Sequence, residues 1–148
     1  MKKYINNEYE FSLEYPEKWE CIENYADSIV AIVCREHEFL INKDIIPNLN
    51  IFIYSDNRSL DLKLLVHNTK TELSRYLNDF VINEDIIINE REEKLLYNGK
   101  FNNNHLSFMQ YLIIHNNKVY SITAGCNEEE FEKFQSVFLL IKDSICLL

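Results

Sequence analysis

Glycine and proline are almost absent from this chain, with two of each in 148 residues. That scarcity excludes a flexible linker and a Gly-rich phosphate-binding loop, both of which need backbone freedom that glycine supplies at low cost. Basic charge is also short: 15 lysines and arginines face 24 acids, for a net charge of -9. The basic residues Lys2, Lys3, Lys63, Lys70, Arg75, Lys94, Lys100, Lys118 and Lys142 are scattered rather than gathered. Without a clustered cationic footprint, nucleic acid is excluded as a partner and anionic membrane surfaces are disfavoured. No apolar run, Val137 to Ile141 included, nears the length of a membrane span, so membrane insertion is not expected.

Other absences concern chemistry. The cysteines Cys21, Cys34, Cys126 and Cys146 form no Cys-x-x-Cys pair, and Lys2-Lys3 is followed by no apolar stretch that would complete an export signal. The expectation is a cytoplasmic protein with reduced, buried thiols. No nucleophile elbow, Gly-rich oxyanion loop or Cys-His signature surrounds any serine or cysteine, so no catalytic residue is assigned. Cys34-Arg35-Glu36-His37 offers half of a zinc site with no second pair at a suitable interval. His105 and His115 lie too far apart along one strand to act together, and His67 falls beside a helical apolar stripe. No metal and no cofactor are expected.

What is present alternates between two periods. Tyr9, Phe11, Leu13 and Tyr15 alternate with polar residues until Pro16 stops the ladder. Trp19 to Glu23, Ile29 to Cys34 and Asn48 to Tyr54 read as further strands, the last with Leu49, Ile51 and Ile53 on one side. A helix follows, capped by Ser59, with Leu62, Leu65, Val66, Thr69, Leu73, Tyr76, Leu77 and Phe80 at three- and four-residue spacing. Ile86 to Asn89 and Lys94 to Tyr97 then lead into Asn98-Gly99, a strong hairpin signal, with Asn103-Asn104 as a second turn. His105 to His115 and Val119 to Ala124 pair across Asn116-Asn117. Glu90, Glu92 and Glu93, with Arg91 and Lys94, read as a charged sheet edge. The final helix starts at Asn127 with Glu130 as capping-box partner, and Phe131, Phe134, Phe138, Ile141 and Ile145 share a face. Strands joined by hairpins, with helices that pack on them, define a single α+β domain over residues 1–148 built on an antiparallel sheet of about six or seven strands.

Phe11-Ser12-Leu13-Glu14-Tyr15-Pro16-Glu17-Lys18-Trp19 resembles the opening of the PsbP-like (DcrB-like) domain group. The Pro47-Asn48-Leu49-Asn50-Ile51 strand, the Ser-Leu helix start, Val119-Tyr120-Ser121-Ile122-Thr123 and Glu130 to Phe134 come in that group's order. The resemblance implies an antiparallel sheet with helices on its faces, an α/β/α sandwich. It also implies a non-enzymatic protein that binds and stabilises other proteins, some members being cytoplasmic chaperones of membrane-inserting segments. No functional residue of the group maps onto this chain.

The residues themselves add an aromatic surplus of nine Tyr and nine Phe. Phe52, Tyr54, Tyr97, Phe101, Phe108 and Tyr111 sit on candidate strands and form the candidate binding surface. If helices cover both sheet faces these rings are core; if one face is partly open they offer an apolar surface for a peptide or helix. Two functions follow: a binding module for an apolar segment of a protein partner, or a small-ligand carrier with a pocket between sheet and helix.

Overall fold

The computed structural model describes residues 1–36, 45–55 and 60–148. Among these residues ten strands and two α-helices follow in order: β1 (Lys2–Asn6), β2 (Phe11–Tyr15), β3 (Trp19–Glu23), β4 (Val30–Cys34), β5 (Asn48–Ser55), α1 (Leu62–Tyr76), β6 (Asn78–Asn89), β7 (Glu92–Phe101), β8 (Asn104–His115), β9 (Lys118–Asn127), α2 (Phe131–Ser144) and β10 (Cys146–Leu147). A 3-10 turn at Glu128–Glu130 joins β9 to α2. Seven strands form one sheet in the order β3-β4-β5-β9-β8-β7-β6, and β1, β2 and β10 form a small second sheet. Every pairing is antiparallel.

The large sheet is buried on both faces along its centre. On one face, Met109, Tyr111 and Ile113 of β8 and Tyr120, Ile122 and Ala124 of β9 pack under Phe134, Phe138 and Ile141 of α2 and Phe11 and Leu13 of β2. Trp19 belongs to this layer, with its ring edge-on to Phe134 at 6.1 Å and to Phe138 at 6.2 Å. The other face holds a smaller cluster, in which Leu62 and Val66 of α1 meet Leu95 and Tyr97 of β7 and Leu112 and Ile114 of β8. Side chains alternate across a strand, so one stretch of β8 feeds both layers.

Several expectations change. The α1 N-cap is Asp61, whose carboxylate accepts from the backbone N–H of Lys63 and Leu64, while Ser59 lies outside the described residues. The helix stops at Tyr76, which points into solvent, and Phe80 belongs to β6. Asn98-Gly99 is no turn. β7 runs straight through it, pairing Asn98 with Ser107 and Gly99 with Leu106. The turn falls at Asn102 and Asn103, whose φ angles of 49° and 67° match those of Asn116 and Asn117 at 51° and 62°. Two consecutive positive φ values define the two-residue turn that suits a twisted hairpin, and Asn tolerates them. Asn127 makes no side-chain cap bond, because the 3-10 turn delays the start of α2 to Phe131. β1 and β10 carry too little periodicity to be read from sequence.

Gly99 is small for a packing reason. A Cβ placed there would lie 2.6 Å from the Cβ of Leu77, which closes α1 onto the sheet. Gly99→Ala is therefore expected to cost about 1–3 kcal/mol, the range for overpacking a tight site. Urea unfolding checks this, and a change below about 0.5 kcal/mol would mean that the Leu77 backbone yields.

The charged edge also moves. Glu92 and Glu93 lie on β7, an inner strand, and the free edge on that side is β6. Glu92 binds Lys142 of α2 at 2.9 Å, and Glu93 is buried beneath α1. A run of like charges reads as solvated only while its strand is taken as the last one.

Candidate functional site

α1 packs mainly over β6, β7 and β8, and among the described residues no helix is centred over the same face of β9 and β5. The step from covered to uncovered sheet is a groove of about 640 Å³. Its floor is Phe52 of β5, Tyr97 of β7, Phe108, Gln110 and Leu112 of β8, and Ser121 and Thr123 of β9. One wall is the outer flank of α1, with Thr69, Glu72, Leu73 and Tyr76, and the opposite rim carries Asp27 and Tyr54.

Four of the six candidate aromatics thus share one site: Phe52, Tyr54, Tyr97 and Phe108. Tyr97 and Phe108 are cross-strand partners with rings stacked at 5.1 Å. Phe80 closes on Tyr97 edge-on at 5.7 Å. Tyr97 is core, Phe52 and Phe108 are half-buried, and Tyr54 is exposed. The other two go elsewhere. Tyr111 faces α2, where the Lys142 ammonium sits 4.4 Å from its ring centroid, and burial pushes its phenol up to about 12. Phe101 ends β7 beside the Asn102-Asn103 turn, exposed and outside the groove. Strand alternation alone separates Tyr111 from Phe108, but not Phe101 from Tyr97; only the length of β7 does that.

The floor carries a polar chain that sequence reading missed. Tyr97 Oη donates to Gln110 Oε1 at 2.8 Å, and Gln110 Nε2 donates to Ser121 Oγ at 3.0 Å. All three residues are buried, so the chain links β7, β8 and β9 under the groove with each bond sheltered from water. Burial raises the Tyr97 phenol far above its ordinary value, so it stays a neutral donor. A glutamine between apolar residues in a strand was the available signal, since such a residue inside a sheet needs partners. Gly125 completes the floor by omission, because a Cβ there would fall 2.7 Å from the Phe108 ring.

The nucleophiles and metal ligands do not gather. Among the described residues no group of three or more His, Cys, Asp or Glu converges. His37 lies outside the described residues, and Cys34 is buried with its thiol pushed up to about 11, first by burial. Cys126 is buried likewise and raised to about 12, by burial and then by the charge of Glu130. Cys146 departs from the expectation of buried thiols, being exposed on β10. His67 is exposed on the flank of α1. No helix among the described residues is long and apolar enough to cross a membrane. A second hollow, of about 610 Å³ beside the Asn102-Asn103 turn, is lined by polar side chains such as Asn104, His105 and Glu129, with no Phe, Tyr or Trp among its described lining residues.

Fold and site together define an α+β sandwich with a half-roofed aromatic groove between one helix and an antiparallel sheet. It is the PsbP-like fold. The cyanobacterial PsbP of Synechocystis superposes with a TM-score of 0.69 at 14% identity, covering 99% of this chain and 92% of its own. LpqN of Mycobacterium tuberculosis, involved in cell envelope biogenesis, gives 0.70 at 12% identity over 91% of this chain and 81% of its own. The Saccharomyces cerevisiae Ran-binding protein Mog1p gives 0.68 at 8% identity over 99% and 94%. At these identities the likeness is one of fold. No family profile and no curated protein sequence matches the chain.

Proposed function

We propose that this protein is a non-catalytic binding module whose groove receives an apolar segment of a protein partner in the cytoplasm. The observation that carries the reading is the convergence of Phe52, Tyr54, Tyr97 and Phe108 where α1 leaves the sheet uncovered. Aromatic rings supply large contact area at low entropic cost, and they dominate binding energy where they cluster. Mog1p, similar in fold, is a Ran-binding protein, which supports a protein ligand over a reaction. The four cysteines, all free thiols, fit a reducing compartment.

The test compares tagged wild type with Phe52→Asp in pull-downs from host lysate read by mass spectrometry. A charge on the groove floor is expected to weaken a partner by about tenfold or more while the circular dichroism spectrum stays native. A partner retained equally by both proteins would place binding elsewhere. The cavity also falls in the range of small-molecule sites, roughly 300–1,000 Å³, and its floor offers Gln110 and Ser121 as orienting groups. Native mass spectrometry separates this second reading: a retained small molecule lost on Phe52→Asp favours a carrier over an adaptor.

A further inference from the structure

Among the described residues β6 is the last strand of the large sheet, with no strand beside its outer backbone groups. Its twelve residues, Asn78–Asn89, contain Val81, Ile86, Ile87 and Ile88 as exposed large apolar side chains, Ile87 at 66%. Between two register shifts, Glu84 to Ile87 pair regularly with Leu96 to Glu93 of β7, so this stretch is held in register on its inner side. Side chains alternate, so Ile86 and Ile87 present apolar surface on opposite faces. Natural edge strands are blunted by lysine, proline, bulges or inward charge; on β6 the bulges and the inward Asp85 leave the regular apolar stretch from Ile86 to Ile88 open to another strand. β6 has no lysine and no proline. Its only charges are the acids Asp79, Glu84 and Asp85, and Glu90 follows in the turn.

We propose that β6 is a second binding edge, which adds an extended segment of a protein partner in which β-branched residues alternate with lysine or arginine. Backbone hydrogen bonds along Glu84 to Ile88 supply affinity, as in strand addition to an open sheet. On the face of Ile87 the added strand packs its β-branched residues; on the face of Glu84, Ile86 and Ile88 its lysine stems lie along the isoleucines with their ammonium groups beside Glu84. Exposed Glu84 and Asp79 select a basic sequence, since opposite charges across a pair stabilise and like charges repel. Asp85 is committed inward to Lys70 of α1 and takes no part. A second copy of this chain is the wrong occupant. It would set Asp79, Glu84 and Asp85 of both copies along one seam, between chains of net charge -9 each. The edge lies at the far side of α1 from the groove, so this inference is independent of the groove's occupant.

The probe is the peptide acetyl-Lys-Ile-Lys-Val-Lys-Ile-Lys-amide, titrated into the 15N-labelled protein and followed by amide resonances. Saturable shifts centred on Val81 to Ile88 are expected. The same peptide with N-methyl groups on alternate residues keeps its charge but loses ladder donors, and it should bind about tenfold more weakly or worse. A peptide with Glu for Lys should also lose about tenfold or more. Ile87→Lys, at a solvent-exposed position, and independently Glu84→Lys, should each weaken the lysine peptide by a similar factor. Equal binding of the N-methylated peptide would reduce the effect to charge alone and overturn the proposal. Shifts confined to Phe52 and Phe108 would move the site to the groove, and β6 shifts on concentrating the protein alone would make the occupant a second copy; either result also overturns it.

Discussion

Phe138→Ala is expected to destabilise the protein by about 3–5 kcal/mol, the usual cost of emptying an aromatic site in a closed core. Phe138 is fully buried on α2. Its ring meets Trp19 at 6.2 Å, Phe134 at 6.2 Å and Phe131 at 6.4 Å. Those contacts bring β3 of the large sheet and α2 together, so the cavity would open between layers rather than within one. Side chains from both sheets and the helix surround it, and collapse would require them to move together, which places the cost toward the upper end. A domain of this size commonly has about 5–15 kcal/mol in total, so the variant should be marginal. Urea unfolding followed by far-ultraviolet circular dichroism measures the loss. A shift in midpoint with unchanged slope is expected. A loss under about 1.5 kcal/mol would show that α2 is held mainly by its ion pair and flanking residues rather than by its aromatic face.

The second large effect is on pH dependence. Lys70 of α1, Asp85 of β6 and Glu93 of β7 meet at the base of α1. The Glu93 carboxyl is pushed up from 4.5 to about 7, first by burial and then by the hydrogen bond and charge of Asp85, against the opposing charge of Lys70. For Asp85, burial raises the carboxyl, but hydrogen bonds from Lys70 and Glu93 and the charge of Lys70 outweigh it and hold it below its ordinary value. Glu93 binds its proton more tightly folded than unfolded. Its contribution to stability is therefore fully present below about pH 4.5 and is lost as pH rises through about 7. Wild type should therefore lose stability across that window, at no more than about 1.4 kcal/mol per pH unit and less where water screens the pair. Asp85 works in the opposite sense, adding stability that is lost only as the solution turns more acidic than its ordinary value. Glu93→Gln keeps the shape, removes the titration, and should be flat from about pH 5 upward and more stable than wild type above neutrality. Parallel pH profiles for the two proteins would refute the assignment.

Much of the architecture was legible because period carries it. The alternation through Leu49, Ile51 and Ile53 and the helical stripe through Phe134, Phe138 and Ile141 each bury the face they predicted. The tight turn at Asn116-Asn117 was legible because asparagine pairs announce positive φ. Asn98-Gly99 misled for the same reason. Its glycine answers to Leu77, a neighbour from a different element, and nothing local reveals that. Glu93 misled because a charge is read as exposed until its strand is known to be inside. For the site, the aromatic surplus named four of the rings that line the groove. Alternation could not say that α1 would stop short of β5 and β9, because a helix's offset over a sheet is set by packing on both sides. The link from Tyr97 through Gln110 to Ser121 depends on register between three strands, which single-strand patterns do not contain.

The position of Trp19 has an optical consequence. It is the chain's single tryptophan, and it is sealed with Phe134 and Phe138 on the α2 side of the sheet. The groove, on the opposite face, holds only tyrosine and phenylalanine rings. Indole emission therefore reports the integrity of one layer and is nearly blind to what occupies the other. A partner that brings its own tryptophan into the groove would be seen against a constant intrinsic background.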